Sequence, residues 1–482
     1  MNEKKLFMQG VFWKFAERIV AQLVTFIVSI ILARLLAPDE YGMVSLVMVF
    51  IGIANIFATS GFSSALIQKK NADSKDYSSV FFFTIGFTFI LYLLLFFLAV
   101  PISNFYNMYM LKPVLRVLSL SIPITGVNSI QQAYISRRME FKKFFKATFI
   151  GTMISAIVGI SMAYLGFGVW ALVAQTLTNS IIDTIVLQLS IDWKVTKEFS
   201  FNRIKVLFDY GWKLLVQSFI VQGYSSLRSL LIGKMYTTSD LAYYTKGNQI
   251  PDLIAENVDV AINSTLFPAM SRAQDSLTTI KNMARKTVQI TSYIMSPLLI
   301  GFMVIANSFI CVLLTDKWLM AVPFLRIECI ILLSRAPQTA ILQALKAVGK
   351  SDLVLKCDIP IRIFAFVALL ISIRFGVIYF AISEVLTTIF GTFVYTTVAR
   401  KYINYTYLEV LSDFFKNVIL ASVMGGIIWI LGLIMSFGSF ITIIFQVLSG
   451  FSIYLILSVV FHSSNLYYIL NTMKEFAFIR RR

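Results

Sequence analysis

The chain alternates between long apolar runs and short polar breaks, most of them basic. A helix rises about 1.5 Å per residue and the hydrocarbon core of a bilayer is about 30 Å thick, so about 20 consecutive apolar residues cross it. Cutting the apolar runs at glycine, proline and charged breaks predicts fourteen such helices. Six lie roughly at 13–35, 43–67, 79–102, 112–134, 144–166 and 168–190. Six more lie at 207–232, 246–270, 287–313, 318–345, 354–374 and 376–399, and two close the chain at 414–436 and 439–461. The expected fold is an all-α polytopic membrane protein.

Composition agrees with the pattern. Of 482 residues, 58% are hydrophobic and 14% charged, against about 25% charged in a soluble domain. The balance excludes an ordinary soluble enzyme or a disordered chain. The net charge of +18 could suggest nucleic-acid binding, but the basic residues cluster between spans, where they set topology. With the N-terminus in the cytoplasm, inside segments hold 29 Lys and Arg and outside segments 7, which places both termini in the cytoplasm. Trp13, Trp170, Trp193, Trp212 and Trp318 fall near helix ends, as an interfacial belt expects. The N-terminal helix is read as an uncleaved first span and not a removed signal.

The chemistry the sequence lacks narrows its role. His462 is the only histidine, and Cys311, Cys329 and Cys357 stand apart in apolar stretches, which disfavours metal sites, disulfides and Ser-His-Asp catalysis. There is no phosphate-binding loop, HExxH or GxSxG pattern. No enzymatic activity, cofactor, metal or nucleic-acid partner is expected.

Echoes within the chain suggest two halves. Gly10, Trp13 and Lys14 open the first span; Gly211, Trp212 and Lys213 open the seventh. The loop Pro38-Asp39-Glu40-Tyr41-Gly42 is echoed by Thr238-Ser239-Asp240-Leu241-Ala242, and Gln132-Ala133 by Gln343-Ala344. The expected organisation is an N-terminal lobe over 1–195 and a C-terminal lobe over 196–405, six helices each around a central cavity. Residues 406–482 add two helices and a basic tail. An even number of spans per half gives a parallel repeat, an arrangement suited to alternating access.

Ionisable groups inside spans are costly and usually face a bundle interior or a wet cavity. Lys14, Arg18, Gln22, Thr25 and Ser29 share one face of the first span. Lys213, Gln217, Tyr224 and Arg228 share a face of the seventh, with Ser218, Gln222, Ser225 and Ser229 beside it. Gln249, Asp252, Glu256, Asp259 and Asn263 line a face of the eighth. These stripes are read as cavity lining for a polar substrate, with interhelical packing as the competing reading. Glu328 and Arg335 share a face of the tenth span, whereas Arg326 and Arg335 lie on opposite faces. Asp358 and Arg362 fit a local ion pair. Asp183 and Glu384 are further cavity or coupling candidates.

Several of these segments resemble a known family. Leu32-Ala33-Arg34-Leu35-Leu36-Ala37-Pro38-Asp39-Glu40-Tyr41-Gly42 is similar to its LARLLxPxxYG hallmark, and Gly61-Phe62-Ser63-Ser64-Ala65-Leu66-Ile67-Gln68 to its GFSSALIQ segment. Arg138–Lys142, Gly166–Val173, Leu266–Arg272 and Gln343–Asp352 resemble further signatures in order. The family is the bacterial polysaccharide exporters, the lipopolysaccharide and O-antigen flippases, whose superfamily includes multidrug extrusion transporters and the lipid II flippase.

The resemblance implies a two-lobed flippase in the bacterial inner membrane. It would move undecaprenyl-diphosphate-linked oligosaccharide from the cytoplasmic to the periplasmic leaflet for surface polysaccharide assembly. Membrane lipids, a polysaccharide polymerase and a chain-length regulator are the implied partners. Relatives use a cationic cavity, a role that Arg18, Lys213, Arg228, Arg326 and Arg335 fit here, with Gln22 and Gln217 beside them. Asp252, Glu256, Asp259 and Glu384 are candidates for a coupling ion. The alternative reading is a proton- or Na⁺-coupled drug antiporter of the related extrusion family.

Overall fold

The computed structural model describes residues 3–59, 61–69, 72–434 and 439–479. The chain divides into two compact units, Met1–Ala242 and Tyr243–Arg482. The described residues form helices and no strand.

The first unit holds α1 (Glu3–Leu35), α2 (Pro38–Thr59), α3 (Phe62–Gln68), α4 (Ser74–Tyr106), α5 (Leu111–Leu118), α6 (Ser121–Arg138), α7 (Phe141–Tyr164), α8 (Val169–Ser190) and α9 (Phe201–Met235). Helix α10 (Thr238–Arg272) begins there and runs into the second unit. The second continues with α11 (Leu277–Leu314), α12 (Val322–Ala347), α13 (Ser351–Ser372), α14 (Val377–Ile403), α15 (Tyr407–Ile434), α16 (Ser439–Val460) and α17 (Ser464–Ile479).

Ten helical segments among the described residues are long and apolar enough to cross a membrane. The expected spans 207–232, 246–270, 318–345 and 354–374 also fold as long helices, α9, α10, α12 and α13, but are not among those ten. Charged and polar residues interrupt them, and these include most of the candidate site residues. Large apolar side chains stand exposed on the apolar helices and on the interrupted ones alike, among them Phe89, Ile90 and Phe97 on α4 and Ile359, Ile363 and Phe366 on α13. Exposed apolar surface of this extent marks a protein whose solvent is lipid.

Local chemistry fixes the helix ends. Asp73 caps α4, accepting from Asp76 N at 2.9 Å, while the Asp76 carboxylate accepts from Asp73 N at 3.1 Å. This reciprocal arrangement satisfies donors that the first turn leaves free. The echoed loops share a device. Glu40 accepts from the Ala37 N–H at 2.8 Å, and Asp240 from the Thr237 N–H at 3.1 Å, each reaching back three residues.

In the first unit, α1 packs on α7 and α7 on α8, while α2, α3 and α4 receive α9. Rings of Tyr77, Tyr134 and Trp193 meet in the core, with centroids 5.4 Å and 5.8 Å from Tyr77. Helix α9 passes α3 at glycine contact: a Cβ on Gly211 would lie 2.8 Å from the carbonyl carbon of Gly61, whose φ of +121° itself favours glycine. The segment before α9 is tied down as well. Thr196 N and Ser200 N donate to the buried hydroxyls of Ser78 and Ser79, both at 3.0 Å. Arg203 donates to Asp73 and Asp76, and Lys69 pairs with Asp76 at 2.7 Å. The Arg203 guanidinium holds the Asp73 carboxyl well below the usual carboxylate range.

In the second unit, α12, α13 and α14 pack together, and α15, α16 and α17 dock on α11. Buried Asp413 on α15 accepts from Arg285 Nε at 2.8 Å, Gln289 Nε2 at 2.6 Å and Tyr405 OH at 3.0 Å. Asn417 donates to Ser292 Oγ at 2.7 Å, and Tyr293 OH to Ser458 Oγ at 2.8 Å. The last two spans are therefore fastened to α11 by polar bonds as well as apolar packing.

Candidate functional site

The first unit carries an open, partly polar cavity of about 580 Å³ between α2 and α9. Asn55 and Thr59 line it from α2, and Gln217, Ser218 and Gln222 from α9. Residues four apart on a helix share a face, so Asn55 and Thr59 point one way, as do Ser218 and Gln222. Gly52 keeps the α2 wall low: a Cβ there would come 3.9 Å from Gln222 Nε2. Thr59 donates to the Asn55 carbonyl at 2.8 Å, and Gln222 Nε2 lies 3.2 Å from Ser226 Oγ. The Asn55 side-chain oxygen is buried without a donor among the described residues. An unsatisfied buried acceptor costs about 1–3 kcal/mol, and a ligand hydroxyl would recover it.

Around this cavity the other candidates of the first unit take separate places. Arg228 is 4% exposed, lower on the α9 stripe than Gln217. The Lys213 side chain lies outside the described ones. Arg18 and Gln22 are half-buried on α1. Lys14 is engaged by Glu17 at 2.8 Å, and Glu17 also receives Thr148 Oγ1 of α7 at 3.5 Å. Between α6 and α8 runs a ladder of amides: Asn128 donates to Asp183 Oδ2 at 2.8 Å, Gln132 to Asn128 at 2.6 Å and Gln131 to Gln188 at 2.7 Å. The second Asp183 oxygen is buried without a partner.

The second unit gathers carboxyl groups about one arginine. Asp252 of α10, Glu328 of α12, Glu384 of α14 and Arg335 of α12 lie within electrostatic reach of one another. Glu256 acts on Asp252, and Arg335 on Asp259. Three local features bring these helices together. Gly247 lets α10 close on α12, since a Cβ would lie 2.7 Å from the Ala321 carbonyl oxygen. Gln338, one turn beyond Arg335, donates to the Thr388 carbonyl of α14 at 2.6 Å. Thr388 in turn bonds the Glu384 carbonyl at 2.9 Å, so the α12–α14 register sets Glu384 level with Arg335. Arg326 stands outside this group and donates to the Met303 carbonyl of α11 at 3.1 Å.

Sequence reasoning placed Asp252, Glu256 and Asp259 on one face of α10, Glu328 and Arg335 on one face of α12, and Glu384 apart from both; the fold brings the two faces and Glu384 together. It passed over Asn55 and Thr59, although two polar residues four apart in an otherwise apolar span were a readable signal. Asn128 and Gln188 were also missed, because amides attract less notice than charges.

The profile of the polysaccharide biosynthesis protein family matches residues 31–323. Among individual proteins, the chain is 23% identical over 327 residues to the succinoglycan biosynthesis transport protein ExoT of Rhizobium meliloti, covering 67% of this chain and 66% of that one. It is 21% identical over 337 residues to the lipopolysaccharide biosynthesis protein WzxC of Escherichia coli, covering 68% and 67%. It is 22% identical over 333 residues to the teichuronic acid biosynthesis protein TuaB of Bacillus subtilis, covering 67% of each. Of solved folds, the lipid II flippase MurJ in an inward closed conformation superposes with a TM-score of 0.73 at 16% identity, over 94% of this chain and 99% of that one. An inward-facing multidrug resistance MATE family transporter superposes with a TM-score of 0.61 at 14% identity, over 80% and 94%. The family match covers more than half of the chain and lies within a fold shared with flippases and extrusion transporters: the chain belongs to the polysaccharide biosynthesis protein family.

Proposed function

We propose that this protein is a flippase that carries polyprenyl-diphosphate-linked oligosaccharide from the cytoplasmic to the periplasmic leaflet for surface polysaccharide assembly. The observation that carries the reading beyond family membership is the α2–α9 cavity, lined by neutral amides and hydroxyls inside apolar helices. A sugar hydroxyl stripped of water costs about 2–7 kcal/mol when unpaired. Amide and hydroxyl side chains replace those bonds without demanding a charge. Its 580 Å³ falls within the usual range for ligand pockets. The polyprenyl tail needs no such shelter and stays in the lipid.

In this reading both termini are cytoplasmic, and the two six-helix halves at 1–195 and 196–405 alternate in access, with 406–482 as an addition. Arg18, Lys213, Arg228, Arg326 and Arg335 hold the diphosphate at successive stages, Arg by two-pronged hydrogen bonds, and Gln22 and Gln217 meet the sugar. The group of Asp252, Glu256, Asp259 and Glu384 takes up a proton or Na⁺; one charge moved through 100 mV supplies about 2.3 kcal/mol. A polymerase and a chain-length regulator receive the product. The same acid group also suits the alternative of a cation-coupled drug antiporter.

A lipid extract from a deletion strain separates the two. Accumulated polyprenyl-diphosphate oligosaccharide with loss of surface glycan supports the flippase and identifies the cargo by mass. Normal lipids and glycan with raised drug sensitivity would establish the antiporter instead.

A further inference from the structure

A second cavity of the first unit, about 920 Å³, opens beside the start of α1, the α6–α7 turn, the first turns of α7 and the end of α8. Its walls carry none of the amides of the α2–α9 cavity. Phe145, Phe149 and Leu189 form an apolar wall, Leu189 82% exposed, with Phe145 and Phe149 stacked at 6.0 Å. Trp13 closes one side, 5.3 Å from the Phe145 ring. Three lysines stand at the rim. Lys143 is neutralised by Glu140 at 2.7 Å and Asp192 at 3.7 Å. Lys142 and Lys146 are exposed and form no ion pair among the described residues; Lys142 lies 5.6 Å from the Trp13 ring. The helical period sets Lys142 and Lys146 one turn apart, and Phe145 and Phe149 likewise on the adjoining strip, so cationic rim and apolar wall share one side of α7.

We propose that this cavity is a headgroup site for an anionic glycerophospholipid of the cytoplasmic leaflet. The rim lies at the end of the bundle where the basic bias puts the cytoplasm, and a tryptophan at that level fits the headgroup region. Two unpaired ammonium groups above an exposed apolar wall complement a phosphate above acyl chains. Ser190 is the one neutral hydroxyl in the lining, so the site offers a phosphate much and a sugar little. The lipid bridges α1 and α7, and fixes the helix that carries Arg18 and Gln22.

The test uses the full chain purified in detergent. Thermal unfolding is followed while phosphatidylglycerol or phosphatidylcholine is added, and retained phosphatidylglycerol is counted by native mass spectrometry. Phosphatidylglycerol is expected to raise the midpoint and phosphatidylcholine to leave it unchanged. The double variant K142Q/K146Q is expected to lose most of that rise and to bind phosphatidylglycerol about tenfold more weakly, since each basic residue at an anionic surface contributes severalfold in affinity. K346Q/K350Q removes the same charge from another basic loop and is expected to keep the response. An equal response in parent and K142Q/K146Q, or an equal loss in both double variants, overturns the proposal. So does undecaprenyl diphosphate displacing phosphatidylglycerol from the parent at equal concentration, which would give the cavity to the cargo. The readout is binding, so its outcome is independent of whether transport itself is confirmed.

Discussion

Interhelical polarity is handled differently in the two units. In the first, Asn128, Gln131, Gln132 and Gln188 join α6 to α8 mainly through neutral amides, with Asp183 the single acid in the ladder. In the second, charge is concentrated: Asp413 accepts from Arg285, Gln289 and Tyr405, and Asp252, Glu328 and Glu384 surround Arg335. Neutral hydrogen bonds stabilise by about 1 kcal/mol each and tolerate loss, whereas a buried ion left without its partner costs several times more. Under the proposed function, this contrast would give sugar binding to the first unit and ion coupling to the second.

The largest expected effect tests that contrast in stability. Asp413→Ala removes the buried acceptor shared by Arg285, Gln289 and Tyr405, leaves the partly exposed Arg285 only Glu409 at 3.4 Å, and should cost about 2–4 kcal/mol. Asn128→Ala should cost about 1–2 kcal/mol. Thermal unfolding in detergent measures both, and similar losses would erase the distinction. Next in size, Arg335→Gln strips the acid group of its counter-charge and should lower flux of the lipid-linked cargo at least about tenfold, the equivalent of about 1.4 kcal/mol. Arg335→Lys should recover part of it. Flux assayed in vesicles across imposed pH and Na⁺ gradients reads the effect, and an unchanged gradient dependence in Arg335→Gln would remove coupling from this group. Smaller again, Asn55→Ala and Gln217→Ala should each weaken cargo handling about fivefold, one hydrogen bond apiece, with unfolding midpoints near the parent's. A fall in midpoint without a change in flux would make α2–α9 polarity a matter of packing.

Much of the fold was legible because span length and basic loops are physical requirements of the bilayer. The ten apolar segments follow from hydropathy, and α9, α10, α12 and α13 were legible as helices from their apolar runs as well. The site was legible as stripes and not as an assembly. The spacing of Asp252, Glu256 and Asp259 puts them on one face of α10, but only the approach permitted by Gly247 and the Gln338–Thr388 bond decides which residues of α12 and α14 they meet. Such contacts join positions far apart in the chain, and a single sequence carries no record of them. Arg326 is another such case: its Nε donates to the Met303 carbonyl of α11, a neighbour 23 residues away in the chain.

The smallest effect concerns the charges at the start of α4 and α9, where the first unit does use ions, buried Asp76 among them. Asp73 and Asp76 receive Arg203, and Asp76 also receives Lys69. Asp73 is largely exposed, so water and salt screen the pair and its contribution is modest. Its sign is nonetheless fixed. The carboxyl is held below its ordinary value in the folded chain, chiefly by the hydrogen bond from Arg203, so folding releases a proton that the unfolded chain would keep. The stabilisation is fully present above the ordinary carboxylate pKa of about 3.9, and it declines as pH falls below that toward the folded value. Arg203→Ala should therefore unfold slightly earlier than the parent near pH 7, and the gap between them should narrow as the medium is acidified below about pH 4. High salt at neutral pH should narrow it too, by screening. A gap that stayed constant with both pH and salt would show that Arg203 acts through the packing of its stem against the α8–α9 segment and not through its charge.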